Sequence, residues 1–435
     1  MAELITIKRS ATRYRVYLFG IKIFSSSPTR SKDLLYLNFI HRRYRAIERT
    51  LAKRGGRERV KVAFLVSISS MFPSRPLFDA MVDDSNFEAT ILIIPDLRFG
   101  LERAKKIQEQ SVAELSVYGK SVHVVPIDAE EDDLCLKGVA DIIFTPWMYD
   151  ISHPKYFYVN FLEQGILPAL IYYGVFNTRF DVQSASTLEY SLFWRIFVEN
   201  QLTVDEYREH QMIEGRNVVL SGYAKMDPLA AFESKSDRRR IIIAPHHSVQ
   251  GGFNQVLSLS NFYTYADLFL KLPDLYPDID FVFRPHPALF ICLEREEFWG
   301  RERVESYICE MKSKRNVIYS EGGDYLQEFA LSDGIIEDCS SFLTEYLYTM
   351  KPHCYMLKSR EDIEANLTKL GRGSIEQCYI AYSEEDIVRF IEDVIVGGVD
   401  PMRVQRERFA KDVVMHNYPR AAEEIKGYLY NLFFK

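Results

Sequence analysis

Cysteine is scarce in this chain and has no recognisable pattern. The six cysteines in 435 residues show neither CxxC nor CxxH spacing, which argues against a disulfide framework or a zinc site. No run approaches the roughly 18 uninterrupted apolar residues of a membrane-spanning helix, and no signal peptide is recognisable. Intrinsic disorder is excluded as well, because 47% of the residues are hydrophobic and 26% are charged. These features predict a folded, cytoplasmic protein with reduced thiols.

Acidic residues are rare at the start of the chain. The first 61 residues hold 4 Asp/Glu and 16 Lys/Arg, whereas the rest holds 57 acidic and 38 basic residues. A basic segment on an acidic body argues against nucleic-acid binding, which requires a basic face on the folded domain. It favours an anionic membrane surface, where each basic residue near the headgroups contributes about 1 kcal/mol. We therefore expect residues 1–59 to form a basic arm that attaches the protein peripherally to the inner face of the membrane. The alternative is a solvated basic helix packed on the body.

The chain is too long for one ordinary core, so several domains are expected. Short apolar strands alternate with helical stretches in two successive sets, a pattern typical of βαβ units and parallel sheets. This α/β pattern predicts two Rossmann-like domains, 60–235 and 236–395, facing each other across a cleft that receives the ligands. Helices over 396–435 are expected to pack back on the first domain. The pattern also predicts one long helix over 190–208 and a last strand at 353–357.

Polar loops follow several predicted strands at the domain junction and in the second domain. They are residues 222–227, 245–248, 284–287 and 338–341. In the last of these, Ser340 and Ser341 lead into a helix that Asp338 or Ser340 can cap. Because hydroxyls and amides at a helix N-terminus bind anions, we expect this loop to hold the diphosphate of an activated nucleotide, with simple capping as the alternative. Neither serine is expected to be a nucleophile, since no Gly-x-Ser-x-Gly turn surrounds them. Glu345, one turn into the helix, is expected to accept from ribose hydroxyls unless it is only an exposed helix carboxylate.

Histidines occur in two of the loops. Arg284 and His286 form a cationic loop whose imidazole can donate to a phosphate oxygen or, when protonated, act as a general acid. His246 and His247 directly follow a strand, so one is expected to reach the cleft while the other packs or caps. Two adjacent histidines are candidate metal ligands. No third ligand lies at a suitable spacing in the sequence, which therefore predicts no metal site. No required cofactor can be read from the sequence.

The ordered set of loops resembles the CDP-glycerol glycerophosphotransferases of the teichoic-acid polymerase type and related capsule transferases, which have a GT-B fold. The similarity covers roughly residues 160–360. The family's Asp-Tyr-Ser-Ser turn, with the acid and the Lys-Pro that follow it, resembles Asp338-Cys339-Ser340-Ser341 with Glu345 and Lys351-Pro352. Its His-Pro loop resembles Arg284-Pro285-His286-Pro287, and its Ala-Pro strand end resembles Ala244-Pro245. Its Gly-Tyr-Pro-Arg-x-Asp linker resembles Gly222-Tyr223-Ala224-Lys225-Met226-Asp227.

One departure concerns the first domain. The family carries a Trp-His-Gly-Thr loop whose histidine is implicated in catalysis, whereas this chain reads Tyr172-Tyr173-Gly174-Val175. A tyrosine with the usual pKa of about 10 is a poor base at neutral pH. Tyr173 and Gly174 are therefore expected on the acceptor side, and either His246 or His247 serves the acceptor or the reaction differs from that of the polymerases.

The resemblance implies a transferase that moves glycerol phosphate, or a related polyol phosphate, from a CDP-activated donor to a cell-surface polymer or lipid-linked acceptor. Two alternatives remain: a GT-B glycosyltransferase that uses a sugar nucleotide in capsule or lipopolysaccharide synthesis, and a catalytically degenerate binding subunit. The catalytic candidates are His286, His246 and His247, and the donor-binding candidates are Arg284, Ser340, Ser341, Glu345, Asp338 and Pro245.

Overall fold

The computed structural model describes residues 5–9, 14–18, 21–26, 31–54, 57–129, 136–147, 151–152, 160–233, 237–249, 259–361 and 366–435. The chain divides into two compact units. Unit 1 comprises Met1–Tyr173, Val182–Asp227 and His416–Lys435, and unit 2 comprises Gly174–Asp181 and Pro228–Met415.

The α-helices, in chain order, are α1 Ser31–Arg54, α2 Arg75–Met81, α3 Leu101–Leu115, α4 Arg179–Ala185, α5 Leu188–Leu192, α6 Gln201–His210, α7 Phe262–Leu275, α8 Leu289–Leu293, α9 Gly300–Ser313, α10 Leu326–Leu331, α11 Phe342–Glu345, α12 Lys369–Ile375, α13 Glu384–Arg389, α14 Arg403–Phe409 and α15 Ala421–Phe434. Shorter 3₁₀ segments are Ser69–Met71, Leu97–Phe99, Ser116–Ser121, Ala224–Ala231 and Tyr346–Thr349. π-Helical turns occupy Phe390–Val396 and Ala410–Val414.

Unit 1 contains a small antiparallel sheet and a large parallel one. The small sheet consists of β1 Ile5–Arg9, β2 Tyr14–Leu18 and β3 Ile21–Ser26. The strands of the large sheet are β4 Val60–Val66, β5 Phe87–Ile93, β6 Val122–Val124, β7 Ile142–Thr145, β8 Leu167–Ile171, β9 Arg195–Val198 and β10 Val218–Leu220. They are ordered β10-β9-β8-β7-β4-β5-β6. The central strands β7 and β8 are buried along their whole length, as expected for parallel strands covered on both faces.

Helix α1 is part of unit 1 rather than a separate arm. Its residues Leu37, Tyr44 and Leu51 are buried. The Tyr44 hydroxyl donates to the Leu192 carbonyl at 2.7 Å. The alternative reading of a basic helix packed on the body therefore describes residues 31–54, and the expectation of an arm is wrong for them. No helix among the described residues combines the length and apolar character needed to cross a bilayer.

Unit 2 is built on one six-stranded parallel sheet. Its strands are β11 Arg239–Ala244, β12 Ile279–Phe283, β13 Val317–Tyr319, β14 Gly334–Glu337, β15 His353–Met356 and β16 Tyr379–Ala381, in the order β13-β12-β11-β14-β15-β16. All neighbouring pairs are parallel. The main core of this unit includes Ile241, Ile243, Phe281 and Phe283 from the two strands that lead into the histidine loops.

The domain boundaries differ from the predicted ones at the C-terminus. The sequence assigned all of 396–435 to the first domain, whereas only His416–Lys435 belongs to unit 1. Helix α14 stays in unit 2 because its Arg406 is fully buried there. The Arg406 guanidinium donates to the Met350 carbonyl at 3.1 Å and pairs with Asp400.

Candidate active site in unit 2

The histidine loops lie at the point where the strand order of unit 2 reverses. From β11 the chain adds β12 and β13 on one side and then returns to place β14, β15 and β16 on the other. In doubly wound sheets, ligands bind beyond the carboxyl ends of the strands at this switch point. Residues 245–248 follow β11 and residues 338–341 follow β14, so both loops flank it, and residues 284–287 follow the adjacent β12.

Buried hydrogen bonds hold these loops together. The Asp338 carboxylate accepts from the His246 amide at 2.6 Å and from the Asn261 amide at 2.5 Å. The His286 amide donates to the Pro245 carbonyl at 3.0 Å. Burial raises the pKa of Asp338 to about 7, although the two amides favour its charged form. Asp338 and Pro245 therefore align the loops, and Asp338 is fully buried instead of capping a helix as predicted.

The three histidines converge into one cluster. The centroid of the His247 ring lies 4.2 Å from that of His246 and 4.0 Å from that of His286, and the His246 and His286 centroids are 5.2 Å apart. One nitrogen of each ring lies within 4.8 Å of the others. The sequence suggested no third partner for His246 and His247, because 39 and 38 residues, respectively, separate them from His286 in the chain. The fold brings His286 to them.

Backbone amides fix the tautomers of two of these rings. The Nδ1 atom of His246 accepts from the Ser248 amide at 3.2 Å, and the Nδ1 atom of His286 accepts from the Ala288 amide at 3.1 Å. In the neutral imidazole the proton must then sit on Nε2, which becomes a hydrogen-bond donor. A metal on Nε2 would move that proton to Nδ1, against an amide that already donates there. The geometry therefore suits an anion better than a metal ion.

The cluster is uncharged at neutral pH. Burial, together with the neighbouring His247 ring, lowers the pKa of His286 to about 3. Burial also lowers the pKa of His247, and it lowers that of His246 well below the usual value. Burial therefore disfavours the cationic form that the sequence analysis expected for His286. A bound phosphate would raise all three pKa values, because an adjacent negative charge favours protonation.

Arg284 is not available as a free cation. Its guanidinium pairs with Glu328 at 3.0 Å and donates to the Ser320 hydroxyl at 2.8 Å and to the Gly323 carbonyl at 2.5 Å. It also stacks over the Tyr325 ring. Only 8% of its surface is exposed. These contacts give Arg284, a predicted donor-binding residue, a structural role at the end of β12.

The serine turn has its predicted hydroxyls and leads into a helix, but that helix is short. Helix α11 is one turn long, and its N-cap residue Ser341 makes no side-chain capping bond. The hydroxyls of Ser340 and Ser341 make no hydrogen bond to the other described residues, and both side chains are half-buried. Glu345 is fully buried and accepts from the Tyr325 hydroxyl. The alternative of an exposed Glu345 carboxylate is therefore wrong, because the helix turns that face into the core. Acceptance from ribose hydroxyls stays a prediction.

Tyr173 lies in unit 1, where it meets the predicted 222–227 loop. Its carbonyl accepts from the Tyr223 hydroxyl and from the Lys225 ammonium, both at 2.9 Å. Gly222 needs its positive φ of 88°, and a Cβ there would lie 2.2 Å from the His416 carbonyl oxygen. This loop therefore has a structural role within unit 1. Gly174 belongs to unit 2.

Comparison with known proteins identifies the fold. No family model matches the chain, and no curated protein does. The wall teichoic acid polymerase TagF matches over 91% of this chain and 94% of its own, at 12% identity and a TM-score of 0.57. The UDP-GlcNAc 2-epimerase from Neisseria meningitidis matches over 86% of this chain and 100% of its own, at 14% identity and a TM-score of 0.52. Another UDP-N-acetylglucosamine 2-epimerase covers 86% and 96%, at 10% identity and a TM-score of 0.54. The fold is of the GT-B type. The predicted pair of Rossmann-like domains is confirmed.

Two residues near the candidate site of unit 2 escaped the sequence analysis. Asn177 is fully buried, donates to the Ser340 carbonyl at 2.6 Å and accepts from the Thr344 hydroxyl at 2.9 Å, so it holds the serine turn. Lys358 is exposed after β15, and its charge partly opposes the rise that burial causes in the pKa of Asp338. The position of Lys358 just beyond a predicted strand was a usable signal. Asn177, more than 160 residues away from its partner Ser340 in the chain, gave none.

Proposed function

We propose that this protein transfers glycerol phosphate, or a related polyol phosphate, from a CDP-activated donor to a cell-surface polymer or lipid-linked acceptor. The observation that carries the proposal is the convergence of three imidazoles at the switch point of unit 2, where such sheets bind nucleotides. The turn with Ser340 and Ser341 follows β14, the strand beside β11. Structures with the same fold include a TagF variant soaked with CDPG and an epimerase bound to UDP-GlcNAc. They support a nucleotide-activated donor.

The chemistry needs hydrogen-bond donors more than it needs a nucleophile on the protein. The acceptor hydroxyl attacks the phosphorus that carries glycerol, its proton leaves to a base, and the bond to the CMP oxygen breaks. Uncharged N–H donors at His246 and His286 and the hydroxyls of Ser340 and Ser341 would bind the phosphoryl oxygens. Lys358 would contribute positive charge at the same edge of the sheet.

A donor panel tests the proposal. The purified full chain is incubated with CDP-glycerol, CDP-ribitol and UDP- and GDP-sugars together with a lipid-linked acceptor, and the products are identified by mass spectrometry. We expect CMP and an acceptor that has gained glycerol phosphate or the related polyol phosphate. His286→Ala should lower the rate by about a hundredfold or more, the range seen for a positioned acid or donor group. His123→Gln, which changes an exposed histidine in unit 1, should react like the wild type. Equal rates in all three proteins would refute the assignment of His286.

The sugar-nucleotide alternative has its own support, because the epimerases match the fold with TM-scores close to that of TagF. The same panel separates the two readings, since a glycosyltransferase releases a nucleoside diphosphate instead of CMP. The degenerate-subunit alternative rests on Tyr173, which stands where the resembling family has a histidine. Donor binding without turnover of any substrate would favour it.

We further propose that helix α1 attaches the protein to an anionic membrane surface, which would bring it to a lipid-linked acceptor. Three large apolar side chains project from α1 into solvent, with exposed fractions of 70% for Leu35, 47% for Tyr36 and 55% for Phe39. The exposed cations on the same helix are Lys32, Arg42, Arg43, Arg45, Arg49 and Lys53. Apolar side chains that insert at the headgroup boundary and cations that pair with lipid phosphates are the features of interfacial helices.

A further inference from the structure

The three histidines of the candidate site differ in which ring nitrogen is already in use. A neutral imidazole has one N–H group and one lone pair. At His246 and His286 the lone pair of Nδ1 accepts a hydrogen bond from a backbone amide. Neither ring therefore has a lone pair left to take up a proton from a substrate without breaking that bond.

Ser248 strengthens this restriction at His246. Its hydroxyl oxygen lies 2.7 Å from the His246 Nδ1 atom and accepts from the Leu259 amide at 3.0 Å. Because the Ser248 hydroxyl oxygen accepts a hydrogen bond from the Leu259 amide, the hydroxyl proton can point to the His246 Nδ1 atom. The amide and the hydroxyl of Ser248 together hold His246 in the Nε2–H form, and all of these groups are buried or half-buried.

His247 has no such contact. Its Nδ1 atom is buried and has no hydrogen-bond partner among the described residues. With the proton on this buried Nδ1 atom, the lone pair of Nε2 is open, because Nε2 is not buried and makes no hydrogen bond to the described residues. Burial lowers the pKa of His247, so the ring is in its free-base form at neutral pH.

We propose that the three histidines have two different roles: His247 is the general base for the acceptor hydroxyl, and His246 and His286 are hydrogen-bond donors to the phosphoryl oxygens. This inference rests on the proposed transfer reaction and supplies the base that Tyr173 does not. The acceptor O–H bond breaks and its proton goes to the open lone pair of His247. The acceptor oxygen forms a bond to phosphorus, and the bond to the CMP oxygen breaks with its electron pair leaving on CMP. The Nε2–H groups bind the phosphoryl oxygens throughout, and no other reactant is needed.

Glutamine variants of the full chain separate the two roles, since glutamine fills the space and can hydrogen-bond but cannot act as a base. Binding of CDP-glycerol is measured by isothermal titration calorimetry, and transfer is measured as CMP release with acceptor present. We expect His247→Gln to bind CDP-glycerol within about threefold of the wild type and to transfer about a hundredfold more slowly or worse. His246→Gln and His286→Gln should each weaken binding about tenfold, as the loss of a donor to a charged group does. Preserved binding in His247→Gln also shows that this variant is folded.

Two results would overturn the division of roles. One is wild-type transfer by His247→Gln, and the other is a loss of CDP-glycerol binding in His247→Gln as large as that in His286→Gln. If the wild type binds no CDP-glycerol, the proposed function fails, and a test without ligand still decides the tautomers. In ¹⁵N-histidine-labelled protein at pH 7, the ring-nitrogen shifts should show the Nε2–H tautomer for His246 and His286, with signals assigned through the single variants. Protons on Nδ1 of these two rings would refute the inference.

Discussion

At the scale of single residues, a buried pair supports the strands that lead into the candidate site. Glu337, the last residue of β14, lies 2.7 Å from the Nε2 atom of His353 at the start of β15, and both side chains are fully buried. Burial raises the pKa of Glu337 well above its usual value and, with a smaller contribution from Arg406, lowers that of His353 to about 3. Both shifts favour the uncharged forms, because neither group has solvent to stabilise its charge.

This pair makes stability depend on pH in a defined direction. The pKa of His353 in the folded state lies below the usual 6.5, so between pH 6.5 and about 3 the unfolded chain takes up a proton that the folded chain does not. Stability from this group is therefore lost as the pH falls through that window, by at most about 1.4 kcal/mol per pH unit. Glu337 has the opposite sign: its raised pKa makes stability fall as the pH rises above about 4.5.

We expect His353→Gln to flatten the acid side of the stability curve. Glutamine keeps a donor for Glu337 but takes up no proton, and Glu337 remains in both proteins. The measurement is hydrogen exchange of the β14 and β15 amides at pH 6.5 and pH 4.5, corrected for intrinsic exchange rates. Protection in the wild type should drop more steeply with falling pH than in the variant. Parallel losses in the two proteins would show that His353 does not titrate as described.

At the scale of secondary-structure elements, the pattern of apolar residues in the sequence predicted most strands. It did not predict strands that depend on tertiary packing. The short apolar runs at residues 60–66 and 317–319, for example, form β4 and β13. The predicted helix over 190–208 is wrong: α5 ends at Leu192, β9 covers Arg195–Val198, and α6 begins at Gln201. Aromatic and β-branched residues from Phe193 to Val198 favour a strand, and the parallel neighbours β8 and β10 stabilise it.

The expected last strand at 353–357 was also not the last, because β16 follows it in unit 2. The candidate site could also be predicted only in part. The loops after β11, β12 and β14 could be found in the sequence, because each follows an apolar run. The pairing of Arg284 with Glu328 and the burial of Glu345 could not, because both depend on how α10 and α11 pack on the sheet.

Helix α12 provides a prediction at this scale. A Cβ atom at Gly371 in α12 would lie 2.4 Å from the Asn177 carbonyl oxygen, whereas one at Gly427 in α15 would meet nothing within 4 Å. Alanine is favoured over glycine in a helix by about 1 kcal/mol. We expect Gly427→Ala to raise the melting temperature by about 2–4 °C and Gly371→Ala to lower it, because a backbone carbonyl cannot move aside cheaply. The check is differential scanning calorimetry of both variants. Stabilisation by Gly371→Ala would contradict the described position of Asn177 beside α12.

At the scale of the whole molecule, the charge is distributed unevenly between the N-terminal segment and the rest. The net charge of −7 would repel the protein from an anionic bilayer, yet the first 61 residues are strongly basic. Attachment therefore depends on a local surface. Deleting residues 1–54 would remove buried side chains such as Leu37, Tyr44 and Leu51 from the core of unit 1. Substitutions on the exposed face of α1 are the cleaner test.

We expect the double variant Leu35→Glu and Phe39→Glu to lose most of its binding to vesicles, because it replaces inserting side chains with charges of the same sign as the lipid. Sedimentation with phosphatidylglycerol vesicles measures this, and phosphatidylcholine vesicles show the contribution of lipid charge. Leu101→Glu is the matched control, since Leu101 is 66% exposed on α3. Equal sedimentation of the double variant and the wild type would rule out α1 as the attachment surface.

The central claim is that the switch point of unit 2 binds the phosphates of a CDP-activated donor through uncharged histidines. Its most direct test is a crystal structure of the protein with CDP-glycerol bound. We predict phosphoryl oxygens within hydrogen-bonding distance of the Nε2 atoms of His246 and His286, with Ser340 and Ser341 on the same diphosphate. A nucleotide bound elsewhere, with the three imidazoles touching no phosphate, would contradict the account.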